Sequence, residues 1–327
     1  MIYIENNEHN PSYNLALEEF AFHHFIGENV FLLWMNSPVI VVGKNQNTLQ
    51  EINMEYVRDN HIDVVRRLSG GGAVYHDLGN LNFTIITENN APKVFDFQSF
   101  SQPVIHVLKD LGISASFSGR NDIQIDGQKF CGNAQYRNKG RVLHHGAMLF
   151  DVDLIVLSKA LKVSEDKMAS KGVASVRSHV TNIVEHLDHK ISVEEFKTLL
   201  LDYMKKHHDL REYQLTEEDK NEIQSLMDKR YSNWDWNFGK SPKMDMERKR
   251  RYPAGSLDFS FCVREGKISD IHIYGDFFGS GEIKDFLSRF IHVPYRREDL
   301  RQVIEKEDTA YYFSNFSKEE ILNAMID

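Results

Sequence analysis

The chain has 327 residues, 41% of them hydrophobic and 27% charged, enough for one large core and a smaller second one. A formal charge of −9 argues against a binder of nucleic-acid backbones, which carries a basic footprint. Two cysteines are too few for a disulfide framework, and the longest apolar runs, VFLLWM (30–35) and VIVV (39–42), are too short to span a bilayer. The opening MIYIENNEHN has neither a basic n-region nor an apolar h-region, so a cytoplasmic protein is expected.

Pro11-Ser12 starts a helical pattern with Tyr13, Leu17, Phe20 and His24 on one side, ending at Gly27. VFLLWM and PVIVVG read as strands, as do IDVVRRL and NLNFTII on either side of a glycine run. Pro103 should open a short helix with Val104, Val107, Leu108 and Leu111 inward, stopped by Gly112. DIQIDGQKF is a hairpin turning at Asp126-Gly127, and HGAMLFDVDL (145–154) alternates like a strand. Two further helices are expected, one over ISVEEFKTLLLDYMKKH with a Ser192/Glu195 capping box and one over TEEDKNEIQSLMDKR. The stretch 234–255 reads as a polar junction, with Arg248-Lys249-Arg250-Arg251 as a solvated linker. Two strands, SLDFSFCV and KISDIHIYG, and three short helical patterns follow. They suggest a separate α+β unit of about eighty residues.

Residues 66–77, RRLSGGGAVYHD, are the most informative stretch. Contiguous glycines let backbone N–H groups approach a ligand, and Arg67 offers a forked cation for phosphate or carboxylate oxygens. The run is neither a Walker loop, since no Gly-Lys-Ser/Thr follows, nor a dinucleotide fingerprint, since its glycines are contiguous. In the hairpin, a regular two-residue turn pairs Ile125 with Gln128, Gln124 with Lys129, Ile123 with Phe130 and Asp122 with Cys131. Ile123, Ile125 and Phe130 then face the core, while Asp122, Gln124, Lys129 and Cys131 face the other way. Asp122 and Lys129 become diagonal neighbours, roughly 7–8 Å apart. A carboxylate and an ammonium so placed can embrace one phosphorylated ligand, the first through a magnesium ion. His144 and His145, adjacent on a strand, point to opposite faces and make poor metal co-ligands. One should be in the core or line a site, and the other should be exposed. LKVSEDKMASKGVASVRSHVTN (161–182), with Lys171, Arg177 and Asn182, has the composition of a loop over an anion.

Taken together, RRLSGGGAVYHDLGN (66–80), GRNDI (119–123), QKFCGNAQYR (128–137), HHG (144–146), KGVASVRSHVTN (171–182) and WDWNFGKSP (234–242) resemble the lipoate–protein ligases in order and spacing, from about residue 10 to 243. The C-terminal eighty or so residues agree only in size and position. The resemblance implies an α+β fold: a large biotin/lipoate ligase-like catalytic domain over 1–245, with a class II synthetase-like mixed, mostly antiparallel sheet, and a small C-terminal α+β accessory domain over 246–327. It implies an ATP-dependent, AMP-forming ligase that converts lipoate to lipoyl-AMP. The acyl group then passes to a lysine on lipoyl domains of oxo-acid dehydrogenase acyltransferase subunits or on glycine cleavage H protein. Lys129 matches the family's site lysine. Arg67, Gly72, Ala73, Val74 and Tyr75 match the nucleotide and acyl contacts, and Asp122 matches as the Mg2+ ligand. Gly71, Gly72, Lys129, His76 and His145 match the lipoate site, and Arg177 the segment closing over the adenylate. Val74, Tyr75 and the VIVV strand are the expected lining of the acyl tunnel. A monomer is expected.

Two rivals differ in class. A thiol-dependent octanoyl or lipoyl transferase shares the fold but needs a nucleophilic cysteine, for which Cys131 on the Lys129 face is the candidate. A non-catalytic lipoate or adenylate binder would not need Arg67, Lys129 and Asp122 together.

Overall fold

The computed structural model describes residues 1–88, 96–119, 121–162, 179–238 and 246–326. Its centre is an eight-stranded sheet in the order β11 (Arg211–Tyr213), β1 (Ile2–Ile4), β2 (Val30–Trp34), β6 (Asn80–Glu88), β10 (Arg141–Leu149), β9 (Gln128–Asn138), β8 (Asp122–Ile125), β7 (Ala115–Ser118). β1 runs parallel to both β11 and β2, and every other pair in the sheet is antiparallel. The expected mixed, mostly antiparallel sheet is present.

All five residues of β2 are buried because the sheet is covered on both faces, which is why the run reads as continuously apolar. Val30, Leu32 and Trp34 pack with Leu15, Leu17 and Phe20 of the first helix, Pro11–His24. Phe31 and Leu33 pack on the opposite face with Val104 and Leu108 of helix Phe97–Asp110 and with Phe196 and Leu200 of helix Val193–His207. Burying each of these side chains stabilises the fold by roughly 1.5–3 kcal/mol. The first helix begins as expected, with Asn10 accepting from the backbone N–H groups of Ser12 and Tyr13. Ser192 and Glu195 form the expected capping box.

A second sheet of three strands carries the glycine run. β3 (Val39–Val42) lies between β4 (Asp63–Arg66), parallel to it, and β5 (Val74–His76), antiparallel. The loop therefore returns at once as β5 rather than running directly into NLNFTII. Three element bounds also differ from expectation. Helix Phe97–Asp110 starts at its Asp96 cap and holds Pro103 in its interior, because the Asp96 carboxylate takes the Ser99 N–H and nucleates the turn earlier. β10 begins at Arg141 and ends at Leu149. Residues 246–252 are β12, the edge of an antiparallel sheet with β13 (Gly255–Arg264) and β14 (Lys267–Tyr274), not a linker. The ladder with β13 orders the basic run, which no apolar alternation announces.

Leu257, Phe259 and Phe261 of that sheet pack against Leu300 and Ile304 of helix Arg297–Lys306 and Ile321 and Leu322 of helix Lys318–Ile326. The stretch after β14 rests on the glycine loop. The Gly275 N–H donates to Asn45 O at 2.8 Å, Lys44 meets Glu282 at 3.0 Å, and Phe278 packs on Phe97 and Ala134.

Candidate active site

Between the two sheets lies a cavity of about 300 Å³ with two kinds of wall. Leu15, Trp34, Val41, Val74 and Ala147 supply apolar surface; Asn121, Asp122, Lys129, Asn133, Arg251 and Asp276 supply polar surface. A site of this size and mixture suits a small molecule with an apolar tail and a charged head.

The glycines divide the work. A Cβ on Gly70 would sit 2.3 Å from Phe277 O, so this position needs glycine for the docking of the C-terminal sheet. Gly71 has φ of +91°, which side chains resist. A Cβ on Gly72 would meet nothing within 4 Å, because Gly72 lines the open cavity.

Arg67 is buried and does not offer its whole fork to a ligand. Its Nε donates to Ser69 Oγ at 3.0 Å, Nη1 to Val41 O at 3.1 Å, and Nη2 to Gly70 O at 2.7 Å and Gly72 O at 2.8 Å. Three of its five N–H groups thus hold the loop and a fourth holds β3, and burial lowers its pKa to about 10. Most of the expected fork is therefore spent on shaping the cradle, while Arg67 still lines the cavity and keeps one N–H that bonds no described group. With the Gly70 carbonyl turned to Arg67, the Gly71 N–H of the same peptide points away from it; neither this N–H nor that of Gly72 donates to a described group, and both residues line the cavity. Two such donors form a ready anion cradle. Arg66, buried on the opposite side, fixes the neighbouring loop through Gly43 O, Gln46 O, Thr48 Oγ1 and Asn237 O.

The hairpin places the ammonium, with one change of register. Asp126 and Gly127 have φ of 49° and 79°, as their tight turn demands. Ile125 pairs with Gln128 and Gln124 with Lys129, as expected, but a bulge then pairs Ile123 with Cys131 and Asp122 with Gly132. Phe130 is the extra residue and is fully buried. The bulge turns Cys131 away from the Lys129 face into the core beside Ile123 and Phe130, and burial pushes its thiol pKa well up. Gly132 takes the cavity position instead, where a Cβ would lie 2.9 Å from Lys129 Nζ. Lys129 Nζ reaches Asp122 Oδ1 at 2.8 Å, closing the gap that diagonal strand positions leave. The backbone of Lys129 pairs with residues 179–181, its N–H to His179 O at 2.8 Å and its carbonyl from the Thr181 N–H at 3.0 Å.

The two histidines of HHG face opposite ways as expected, but neither is exposed, because both faces of the sheet are covered. His144 is in the core, stacked on Phe83 and Phe100. His145 lines the cavity in a chain the sequence did not announce: Nδ1 faces Glu18 at 3.1 Å and Nε2 faces Ser69 Oγ at 2.7 Å, while Glu18 also accepts from Thr84 Oγ1. Glu18, buried on the first helix, thereby sets the His145 ring against the Ser69 that receives Arg67 Nε. Its only sequence signal is a carboxylate among the apolar residues of a helix that covers the sheet.

His76 also lines the cavity. Asn14 Nδ2 donates to Asn36 Oδ1, so Asn36 Nδ2 donates to His76 Nδ1 at 3.1 Å. The His76 proton must then sit on Nε2, which is buried and has no partner among the described residues. Burial, with Arg67 and His145 nearby, lowers the His76 pKa from 6.5 to about 3. Tyr75 points the other way, into the cluster of Ile40, Val42 and Leu149, because strand neighbours alternate. Tyr75 is therefore not part of the cavity lining, whereas Val74 and Val41 are. Ala73 lines it too. Arg177 and Lys171 lie outside the described residues. Asn182 ties its side chain to Val152 and does not line the cavity. Among the described residues no three acidic, histidine or cysteine side chains gather as a metal cluster.

The family described as "Lipoyl protein ligase A/B catalytic domain" matches residues 10–205, and that described as "Bacterial lipoate protein ligase C-terminus" matches residues 241–325. The chain is 46% identical over 328 residues to the lipoate-protein ligase LplJ of Bacillus subtilis, spanning 99% of each chain. It is 40% identical to lipoate–protein ligase 1 of Staphylococcus aureus, spanning 98% of each. Among solved structures it is similar to P. falciparum LipL1 in complex with lipoate, with TM-score 0.79 and 25% identity over 98% of this chain and 97% of that one. It is also similar to a lipoate-protein ligase A bound with ATP, with TM-score 0.62 and 28% identity over 73% of this chain and 99% of that one.

Gly70→Ala should destabilise the protein by about 1–3 kcal/mol in chemical denaturation. Gly72→Ala should change stability by less than about 0.5 kcal/mol yet weaken ligand binding measured by calorimetry. For His76, the unfolded chain takes up the proton near 6.5 while the folded one resists to about 3, so its contribution is complete above 6.5 and is lost as pH falls through that window. Between pH 7 and 5 this group should cost about 2 kcal/mol in urea denaturation, a loss that His76→Gln removes.

Proposed function

The chain belongs to the lipoate–protein ligase family, and from that premise we propose that it activates lipoate with ATP and passes the lipoyl group to a lysine of an acceptor protein. The observation that carries this reading is the convergence of Lys129 Nζ with the Gly71 and Gly72 N–H groups on one cavity that is apolar at its other wall.

A carboxylate is a poor electrophile, and bringing it to the α-phosphate of ATP sets two anions together. Lys129 lies where one ammonium can neutralise both as a carboxylate oxygen attacks phosphorus and the bond to the leaving pyrophosphate breaks. The Gly71 and Gly72 N–H groups hold phosphate oxygen without a desolvated counter-charge. In the second step the acceptor amine attacks the acyl carbon and AMP leaves, so no protein nucleophile is needed. Lipoate lies with its tail against Trp34, Val41 and Val74 and near His145, Gly71 and Gly72. His76 offers a neutral Nε2–H there, and Ala73 and Val74 complete the wall. Asp122 and Asn121 suit the oxygen-donor chemistry of Mg2+: one Asp122 oxygen meets Lys129, leaving the other for a cation that would neutralise polyphosphate charge.

The reading assigns activation to residues 1–245 and an accessory role to 246–327. Acceptors are lipoyl domains of oxo-acid dehydrogenase acyltransferase subunits and glycine cleavage H protein, met in the cytoplasm by a monomer. Arg177 closes over the adenylate in this scheme. No described helix is long and apolar enough to cross a membrane.

The transferase alternative fails on Cys131, which has no exposure and a thiol held protonated by burial, the reverse of what a nucleophilic cysteine needs. Lys129→Ala should lower pyrophosphate release in the presence of lipoate, ATP and magnesium by about 10²–10³-fold with an unchanged circular dichroism spectrum; release at the wild-type rate refutes the role of Lys129. Cys131→Ala should lose stability but keep its specific lipoylation rate on an apo lipoyl domain, and complete loss of turnover in the folded variant would restore the transferase.

A further inference from the structure

Three cations line the cavity among the described residues, and they are not equivalent. Arg67 is engaged by the loop carbonyls, and Lys129 is paired with Asp122 at 2.8 Å. The third, Arg251, comes from the other end of the chain, at the end of the basic edge strand β12. Its Nη1 stands 3.9 Å from Asp276 Oδ2, beyond hydrogen-bond range, and its guanidinium makes no hydrogen bond to a described residue. Asp276 is itself set by Ser256, whose N–H and Oγ both donate to Oδ1. The next residues, Phe277 and Phe278, press on Gly70 and Gly71, so Arg251 is held over the glycine loop by the same docking that requires Gly70.

We propose that Arg251 binds the β- and γ-phosphates of ATP and the pyrophosphate they become, acting as a catalytic residue of the activation step. The inference rests on the adenylate-forming reading above. As the carboxylate oxygen bonds to the α-phosphorus, the bond from that phosphorus to the β-bridging oxygen breaks and its electron pair leaves with pyrophosphate. The developing charge falls on the departing group, away from the anhydride that Lys129 and the loop N–H groups hold. A planar, loosely paired guanidinium suits that group: it can take two phosphate oxygens at once, with little prior bonding to give up. Lipoyl-AMP has no such phosphates, so transfer does not use the contact.

The test compares the full-length wild type with Arg251→Gln and Arg251→Lys. Calorimetry with AMP and with the ATP analogue whose β–γ bridge is methylene should show the analogue binding at least about tenfold more weakly to Arg251→Gln, and AMP unchanged. Arg251→Lys should recover part of the loss. Pyrophosphate release should fall with it, while transfer from preformed lipoyl-AMP to an apo lipoyl domain stays at the wild-type rate. Analogue binding within about twofold of wild type overturns the assignment, and so does an equal loss for AMP and analogue, which marks a structural role. These binding readouts do not depend on which acyl group is activated. A wild type that binds the analogue yet forms no acyl-AMP counts against the ligase reading and not against Arg251.

Discussion

The cavity depends on a buried cation whose hydrogen bonds go to carbonyl and hydroxyl oxygens, with the Glu18 carboxylate nearby favouring its charge. Arg67 lies inside the protein, and the desolvation of its charge is offset by carbonyl and hydroxyl oxygens: Gly70, Gly72, Val41 and Ser69. Those bonds decide which way the peptide planes of the loop turn. With the Gly70 and Gly72 oxygens inward, the Gly71 and Ala73 N–H groups of the same peptides turn away from Arg67, and neither the Gly71 nor the Gly72 N–H donates to a described group. A flexible glycine run becomes a fixed cradle because an arginine beside it in sequence folds back to hold it. Substituting lysine would keep the charge and lose the arrangement, since one ammonium cannot reproduce a planar fork.

Around that cradle the cavity is set by relays rather than by isolated side chains. Asn14 orients Asn36, which fixes the tautomer of His76. Glu18 orients His145 toward Ser69, which receives Arg67. Both relays begin on the first helix, which explains why that helix buries Asn14 and Glu18, as it also buries Glu19 against Arg230 and Tyr231. The helix supports the sheet with one set of side chains and positions the cavity wall with another.

How far the sequence revealed this differs from residue to residue, for physical reasons. The tight Asp126-Gly127 turn and the Ser192 capping box obey local rules and were legible in full. The alternation that sends His144 and His145 to opposite faces was legible too, but not that both faces are covered. The bulge at Phe130 was not, because a bulge is chosen by the packing of the whole strand against helices far along the chain. That single slip sends Cys131 to the core and lets Asp122 meet Lys129. Tyr75 was misread because a three-residue strand shows too little alternation to fix which side faces the ligand. The Arg67 reading found the residue and missed its partners, since carbonyls of a loop leave no trace in composition. Arg251 was hidden in a run of cations, and only the pairing of β12 with β13 selects one of the four for the cavity.

Gly70 and Gly72 are two peptide bonds apart, yet one is pressed by the C-terminal sheet from outside and the other is open to a ligand from inside. A molecule that stiffens the loop through the Gly72 N–H acts on the surface that Phe277 and Phe278 sit upon. Thermodynamic reciprocity then applies: to whatever degree occupancy tightens or loosens the seating of that sheet, the seating alters affinity by the same factor. The triglycine is in this sense a thermodynamic joint as well as a cradle, with ligand and accessory sheet as its two arms.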